Sequence, residues 1–134
     1  MLKLADDQLC FGCGAKNPRG LHLKFTVDEK RRTIRTQWTP TKEFQGYADI
    51  VHGGMTTLVL DETMGNLLWK LGRPSVSAEI AVRFLHPAKV GESLQIEAEI
   101  LSEKDRVTRM RGVAKSAEGK IVATADAAYI YVRH

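Results

Sequence analysis

The stretch from Val51 to Glu62 reads V-H-G-G-M-T-T-L-V-L-D-E, and it is the most informative part of this chain. It predicts a turn at His52, Gly53 and Gly54 that leads into an apolar helix. Glycines at a helix start let the backbone approach a ligand closely and leave amides free to bind it. Asp61 follows about two turns later in apolar surroundings, where a carboxylate is a candidate base or nucleophile. The stretch therefore predicts a site that polarises a carbonyl group and attacks it.

The helix that begins in this stretch is predicted to run to Leu71, because Gly72 and Pro74 then form a typical stop. Its apolar residues nearly encircle it, which indicates a buried helix. Two segments of alternating polarity precede the helix and four follow it. They are His22 to Val27, Thr33 to Trp38, Val76 to Leu85, Ser93 to Ser102, Val107 to Ser116 and Lys120 to Val132. This order predicts an α+β fold in which an antiparallel sheet packs around one long helix.

Length and composition predict a single soluble domain over residues 1–134. Residues 1–20 form an irregular lead-in that is rich in Gly, Pro and Asn. Hydrophobic residues make up 43% of the chain and charged residues 27%, as in ordinary globular proteins. No apolar run approaches the roughly 20 residues of a membrane helix, and no signal peptide is evident. We therefore expect a cytoplasmic protein without a membrane partner.

The net charge of +4 is spread over the chain, apart from short basic tracts at Lys30–Arg32 and Arg106–Arg111. These tracts lack the interleaved aromatic residues of many nucleic-acid-binding surfaces, so no nucleic-acid partner is expected. Mild basicity equally suits a small molecule that carries phosphates. A solvated surface is the ordinary interpretation of such charges.

Two cysteines, Cys10 and Cys13, stand in the sequence C-F-G-C-G. A C-x-x-C pair can be a redox pair or half of a metal site. The sequence has no second such pair; His22 lies within reach, but a fourth ligand is not evident. We interpret the pair as part of a structural turn and assign no metal and no cofactor. A small zinc or nucleic-acid-binding protein built on these cysteines stays the more distant alternative.

Three segments closely resemble the hotdog-fold acyl-CoA thioesterases, in particular the phenylacetyl-CoA and 4-hydroxybenzoyl-CoA thioesterase-like group. They read C-F-G-C-G-A-K-N-P-R-G-L from Cys10 to Leu21, V-H-G-G-M-T-T-L-V-L-D-E-T-M-G from Val51 to Gly65, and V-S-A-E-I-A-V-R-F-L-H-P-A-K-V-G-E from Val76 to Glu92. The resemblance implies a hotdog fold, in which a curled antiparallel sheet wraps a central helix. It also implies a homodimer or homotetramer with active sites at the subunit interface.

The resemblance also assigns roles to individual residues. Asp61 matches the catalytic carboxylate, nine residues after His52. The amide of Gly53, together with that of Gly54, would hold the thioester carbonyl. The Ser77 hydroxyl matches a position that orients water in some relatives, and His52 would shape the pocket. The implied mechanism sets Asp61 of one subunit against a carbonyl that is held by Gly53 of the other.

Further residues are assigned as candidates for binding the substrate. Some relatives carry a side-chain amide six residues before the histidine, where this chain has Gly46, so Asn17 is a candidate substitute. Arg83 and Lys89 are candidates for binding the phosphates of CoA. Glu62 points about 100° away from its neighbour around the helix and is interpreted as structural or as a subunit contact.

The function predicted from these residues is hydrolysis of an acyl-CoA thioester to the free acid and CoA-SH. The alternative from another functional class is a hotdog protein that binds an acyl-CoA or another ligand without catalysis.

Overall fold

The computed structural model describes residues 3–132, so the two residues at each end of the predicted domain lie outside it. Six strands and one long helix follow each other in the predicted order. They are β1 (Thr26–Asp28), β2 (Thr33–Trp38), α1 (Gly53–Lys70), β3 (Ser75–Phe84), β4 (Leu94–Lys104), β5 (Val107–Ser116) and β6 (Ile121–Tyr131), with a 3-10 turn at Lys42–Phe44 between β2 and α1. The boundaries agree with the sequence prediction to within two residues, except at β1.

The strands form one antiparallel sheet in the order β1-β2-β4-β5-β6-β3, and α1 packs against it. The hairpin from β4 to β5 turns at Asp105, and the hairpin from β5 to β6 turns at Gly119. Both turn residues have a positive φ, of 56° and 86°. The predicted α+β class is confirmed, and the arrangement is the hotdog fold that the resemblance implies.

Small residues in the sheet let α1 approach closely. Gly112 on β5 lies under the helix, and a Cβ there would stand 3.2 Å from a methyl carbon of Leu60. The buried residues of the helix are Thr56, Val59, Leu60, Thr63, Met64, Leu67 and Leu68, and they face the buried alanines of β5 and β6. Interiors are close-packed, so this contact fixes both the depth and the rotation of the helix. No helix in residues 3–132 has the length and apolar character needed to cross a membrane.

The first strand is shorter than predicted. It begins at Thr26, whereas the alternating pattern predicts a start at His22. The amides of Leu21 and Leu23 instead donate to the carbonyls of Phe11 and Gly12, at 2.9 Å each. His22 between them has a φ of 53°, which no strand residue adopts. Backbone pairing with the lead-in therefore replaces strand pairing at this point, and the predicted start of the strand at His22 was wrong.

The strand β3 is a long open edge of the sheet. It spans ten residues and pairs only with β6 among the described strands. A strand in this position presents a row of unpaired amide and carbonyl groups, which is a template for pairing with another chain. One edge of the sheet is therefore available to a second subunit.

Candidate active site

The start of α1 leaves one backbone amide free. The side chain of His52 caps the helix, because its Nδ1 accepts the Gly54 amide at 2.9 Å. The amides of Met55 and Thr56 donate to the His52 carbonyl. Within residues 3–132, the Gly53 amide has no acceptor. Gly53 therefore offers a single donor at the positive end of the helix dipole.

This amide lies at an apolar cleft of about 660 Å³. The ring of Phe84 lies against Gly53, and a Cβ on that glycine would be 3.3 Å from the ring. The lining residues are Gly46, Tyr47, Ile50–Gly53, Phe84–Ala88 and Val122. Among them Tyr47 is 85% exposed and Phe84 56% exposed. An exposed apolar cleft with one aimed polar donor is typical of a ligand site or of a surface that a partner covers.

The Asp61 carboxylate is held by a buried tyrosine. The Tyr129 hydroxyl donates to Asp61 Oδ1 at 2.6 Å and lies 3.0 Å from the Asp61 carbonyl oxygen. Burial, and then the charge of Asp61, raise the pKa of Tyr129 well above its usual value, so the hydroxyl keeps its proton and acts as a donor. The contact orients one carboxylate oxygen and leaves the other available.

Tyr129 is not among the site residues predicted from the sequence. The signal was present: β6 alternates, and its inward positions Ala125 and Ala127 place Tyr129 on the same core face. A buried tyrosine hydroxyl almost always has a hydrogen-bond partner. The pattern could thus have predicted that Tyr129 has a polar partner, although not that the partner is Asp61.

Ser77 belongs to the same region of the sheet. It lies directly opposite Tyr129 in the pairing of β3 with β6, so the two side chains share one face. The register shifts between Ser77 and Glu79, and Ser77 itself is exposed on the edge strand. Tyr129 thus links Asp61 to the strand beside the open edge of the sheet, and Ser77 lies on the edge strand itself.

Gly53 and Asp61 do not meet within one chain. Eight residues of helix separate them, a distance of about 12 Å along the helix axis. A carbonyl oxygen held by Gly53 and a water held by Asp61 of the same chain would therefore be too far apart to react. The two groups can serve one substrate only if a second subunit supplies one of them.

Two predicted binding groups are already engaged. The Gly54 amide donates to His52, so Gly54 orders the turn, and its hydrogen is not directed to the cleft. The side chain of Asn17 donates to the Leu9 carbonyl at 3.0 Å and accepts the Arg19 amide at 2.9 Å. Asn17 thereby stabilises the lead-in, and the structure does not place it among the residues that line the cleft.

The predicted phosphate-binding side chains flank the cleft. Arg83 precedes and Lys89 follows the segment 84–88, which lines one side of it. Both are exposed, and neither forms an ion pair within residues 3–132. Lys89 is thus free to reach an anionic ligand at the rim of the cleft, whereas Arg83 alternates with Phe84 along β3 and points to the opposite face of the sheet.

A second polar cluster joins the lead-in to the other side of α1. Cys10 Sγ lies 3.0 Å from Glu62 Oε1, and Asn66 Nδ2 donates to the same carboxylate oxygen at 3.0 Å. Cys13 completes the cluster. Burial and the neighbouring Glu62 raise the pKa of the Cys13 thiol, which keeps it protonated at neutral pH. Cys13 is therefore a poor nucleophile. The contact between Glu62 and the cysteines was not predicted from the sequence.

Comparison with known proteins matches residues 48–123, more than half of the chain, to the sequence model of the Thioesterase superfamily. Human acyl-coenzyme A thioesterase 13 is 33% identical over 76 residues, which cover 54% of this chain and 54% of the human protein. The chain thus spans about half of the length of this curated relative.

Two solved structures are also similar. A thioesterase superfamily protein superposes with a TM-score of 0.86 at 20% identity, over 97% of this chain and 68% of that chain. A phenylacetic acid degradation-related protein from Ralstonia eutropha JMP134 superposes with a TM-score of 0.75 at 26% identity, over 82% of this chain and 85% of that chain. These superpositions confirm the fold.

The cap at His52 generates a prediction about stability. His52→Ala should lower the free energy of unfolding by about 1 kcal/mol, because the Gly54 amide loses its acceptor. His52→Asn should retain most of that stability, since asparagine is a good N-cap residue. Urea unfolding at one fixed protein concentration measures both variants. An equal loss in the two variants would mean that the cap is not what His52 contributes.

Proposed function

We propose that this chain, which belongs to the Thioesterase superfamily, hydrolyses acyl-coenzyme A thioesters to a free acid and CoA-SH. The observation that carries the proposal is the unpartnered Gly53 amide, at a helix start and beside an apolar cleft. The similarity to an acyl-coenzyme A thioesterase adds support over half of the chain. The catalytic unit is a single hotdog domain over residues 1–134. A cytoplasmic location agrees with the two free cysteines.

In this mechanism the Gly53 amide polarises the substrate carbonyl. The thioester carbonyl oxygen accepts the Gly53 amide, and the negative charge that develops on this oxygen during attack lies at the positive end of α1. The acyl chain lies along the apolar cleft. His52 holds the turn in place through its contact with Gly54, so the donor needs no rearrangement when the substrate binds.

In this mechanism Asp61 activates the attacking water. The Tyr129 hydroxyl donates a hydrogen bond to Asp61 Oδ1. The other carboxylate oxygen takes a proton from a water that Ser77 helps to orient. The water oxygen attacks the carbonyl carbon, the C–S bond breaks, and the CoA thiolate leaves and takes up a proton. Tyr129 is the positioning residue of this step.

A homodimer brings the two halves together. Pairing of β3 with its copy in a second chain would extend the sheet across the interface and cover its open edge. Asp61 and Ser77 lie beside that edge, whereas the Gly53 amide is about 12 Å along the helix. Each site then takes Asp61 from one subunit and Gly53 from the other. Pairing of dimers would give the homotetramer.

The CoA moiety is bound at the rim of the same cleft. Arg83 and Lys89 flank the segment that lines it, and both are exposed and lack an ion-pair partner within residues 3–132. The positive charge of Lys89 attracts the phosphates of CoA and leaves the apolar lining to the acyl group.

One observation favours a second candidate function, ligand binding without catalysis. Gly46 lines the cleft at the position where some relatives carry an amide side chain, and it offers no polar group there. A carbonyl held by Gly53 alone receives less stabilisation than one held by two donors. On this alternative the chain binds an acyl-CoA and does not cleave it.

A panel of acyl-CoAs separates the two functions. Wild-type chain should release free thiol from members of a panel that varies chain length and includes aryl-CoAs. Asp61→Asn should lower kcat by at least roughly 100-fold, because the base is lost. The amide oxygen can still accept from Tyr129, so the variant should fold. The measurement is thiol release, corrected for the chain's own cysteines.

The matched control for this variant is Asp126→Asn, which changes a carboxylate that pairs with Arg111 on the outer face of β6. It should turn over at the wild-type rate. Near-normal turnover by Asp61→Asn would remove Asp61 from the mechanism. Binding of the panel by wild-type chain without any thiol release would establish the alternative function.

The Gly53 amide can be removed with little disturbance of the helix. Gly53 is the first residue of α1, where proline is tolerated, and the preceding His52 has a φ of −59° and a ψ of 129°, which proline permits. Gly53→Pro should lower kcat by about 10²–10³-fold, the usual cost of losing one such donor. Gly53→Ala introduces the same contact with Phe84 but keeps the amide hydrogen. If both variants lose activity equally, crowding of the cleft is the cause and the amide is not the donor.

Mixing the two defective chains tests the shared site. An Asp61→Asn chain paired with a Gly53→Pro chain forms one intact site for every mixed dimer. Random pairing should therefore restore about a quarter of the wild-type activity per chain in a dimer. Co-expression of the two chains followed by the thiol-release assay measures the recovery. No recovery in verified mixed dimers would mean that the two groups act within one subunit, and the shared site would be wrong.

A further inference from the structure

We propose that Cys10, Cys13 and Glu62 bind a zinc ion, which fastens the lead-in to α1. The proposal concerns the cluster on the far side of the helix from the cleft residues, and it is independent of thioester hydrolysis.

The ligand atoms are already gathered. The two sulfur atoms and a carboxylate oxygen of Glu62 all lie within 4.8 Å of one another, and Cys10 Sγ is 3.0 Å from Glu62 Oε1. Bonds of about 2.3 Å to sulfur and 2.0–2.2 Å to oxygen in a tetrahedral site set neighbouring ligand atoms about 3.5–3.8 Å apart. Small side-chain movements would therefore admit the ion.

The backbone of the lead-in is built closely around these groups. The Gly14 amide donates to the Cys10 carbonyl at 2.8 Å and closes the turn that carries both cysteines. A Cβ on Gly14 would stand 2.4 Å from the Cys10 amide nitrogen, and a Cβ on Gly12 would stand 2.5 Å from the Glu62 side chain. A side chain on Gly14 would collide with the backbone, and one on Gly12 would displace the Glu62 side chain. The turn therefore places both sulfurs beside Glu62.

The charge of Glu62 has no protein counter-ion in residues 3–132. Each of the ion pairs there involves another carboxylate. Glu62 is half-buried, and its hydrogen-bonding neighbours are a thiol and an amide. A partly buried carboxylate is normally paired with a cation or coordinates a metal. Glu62 is therefore available to coordinate a cation beside the cysteines.

Zinc is the cation that this donor set selects. Two thiolates and one carboxylate are typical zinc ligands, whereas calcium and magnesium take oxygen ligands. Binding displaces both thiol protons to solvent and involves no change of oxidation state. Three protein ligands leave the fourth tetrahedral position to a water.

Asn66 supports the site without binding the ion. Its Nδ2 donates to Glu62 Oε1 at 3.0 Å and to the Glu62 carbonyl at 2.8 Å, and it lies 3.8 Å from Cys13 Sγ. These contacts hold the carboxylate in the orientation that the sulfurs require. Residues in this supporting position typically contribute 10–100-fold to metal affinity.

The test uses the full chain, prepared without a polyhistidine tag in zinc-supplemented medium. Elemental analysis should find one zinc per chain. Replacement by cobalt should produce the thiolate-to-metal charge-transfer absorption of a tetrahedral site. Glu62→Gln should weaken zinc binding by more than roughly 100-fold and Asn66→Ala by roughly 10–100-fold. Glu92→Gln changes an exposed carboxylate elsewhere and should bind as wild type.

Two further readouts guard against a variant that fails to fold. Zinc should raise the melting temperature of the wild-type chain and of Glu92→Gln, because it binds only the folded state, and should leave that of Glu62→Gln unchanged. Reconstituted wild-type chain with no bound zinc and no charge-transfer absorption would overturn the proposal. A mass lower by two hydrogens that a reductant restores would also overturn it, since the cysteines would then form a disulfide.

Discussion

The burial of α1 against the sheet is the contact on which the rest of the structure depends. Gly112 and the alanines of β5 and β6 leave room for the helix, so Leu60 and Met64 reach the sheet directly. Close packing of this kind fixes the rotation of the helix about its own axis. This rotation determines which residues each side of α1 contacts. One packing contact thus sets the surroundings of the helix start, of Asp61 and of Glu62.

The two adjacent carboxylates show the effect of that rotation. Successive residues of a helix point about 100° apart, so Asp61 faces the sheet and meets Tyr129, while Glu62 faces the lead-in and meets the cysteines. The proposed chemistry divides along the same line. In the proposed mechanism Asp61 acts on substrate near the open edge of the sheet, and in the proposed zinc site Glu62 holds the N-terminal segment.

Much of the fold could be predicted from periodicity. Thr33–Trp38 and Val107–Ser116 have the predicted bounds, because alternating polarity is a direct consequence of one buried face. The prediction that a strand begins at His22 was wrong, although it rested on the same alternation of polarity. Its alternation indicates a buried face. Its first amides, however, donate to carbonyls of the lead-in, and a strand forms only where the amides pair with a neighbouring strand. Periodicity shows that a segment is buried and does not identify the element that covers it.

The site divides in a similar way. Local sequence was sufficient to indicate the His52 turn and the free Gly53 amide, because a cap and a helix start involve residues two or three apart. Local sequence also determined that Asp61 and Glu62 point in different directions. Only the tertiary structure decided what they point at: Tyr129 is 68 residues from Asp61, and Cys10 is 52 residues from Glu62. Those contacts depend on strand register and on the rotation of α1, and both follow from the packing of the whole core, which no short stretch of sequence encodes.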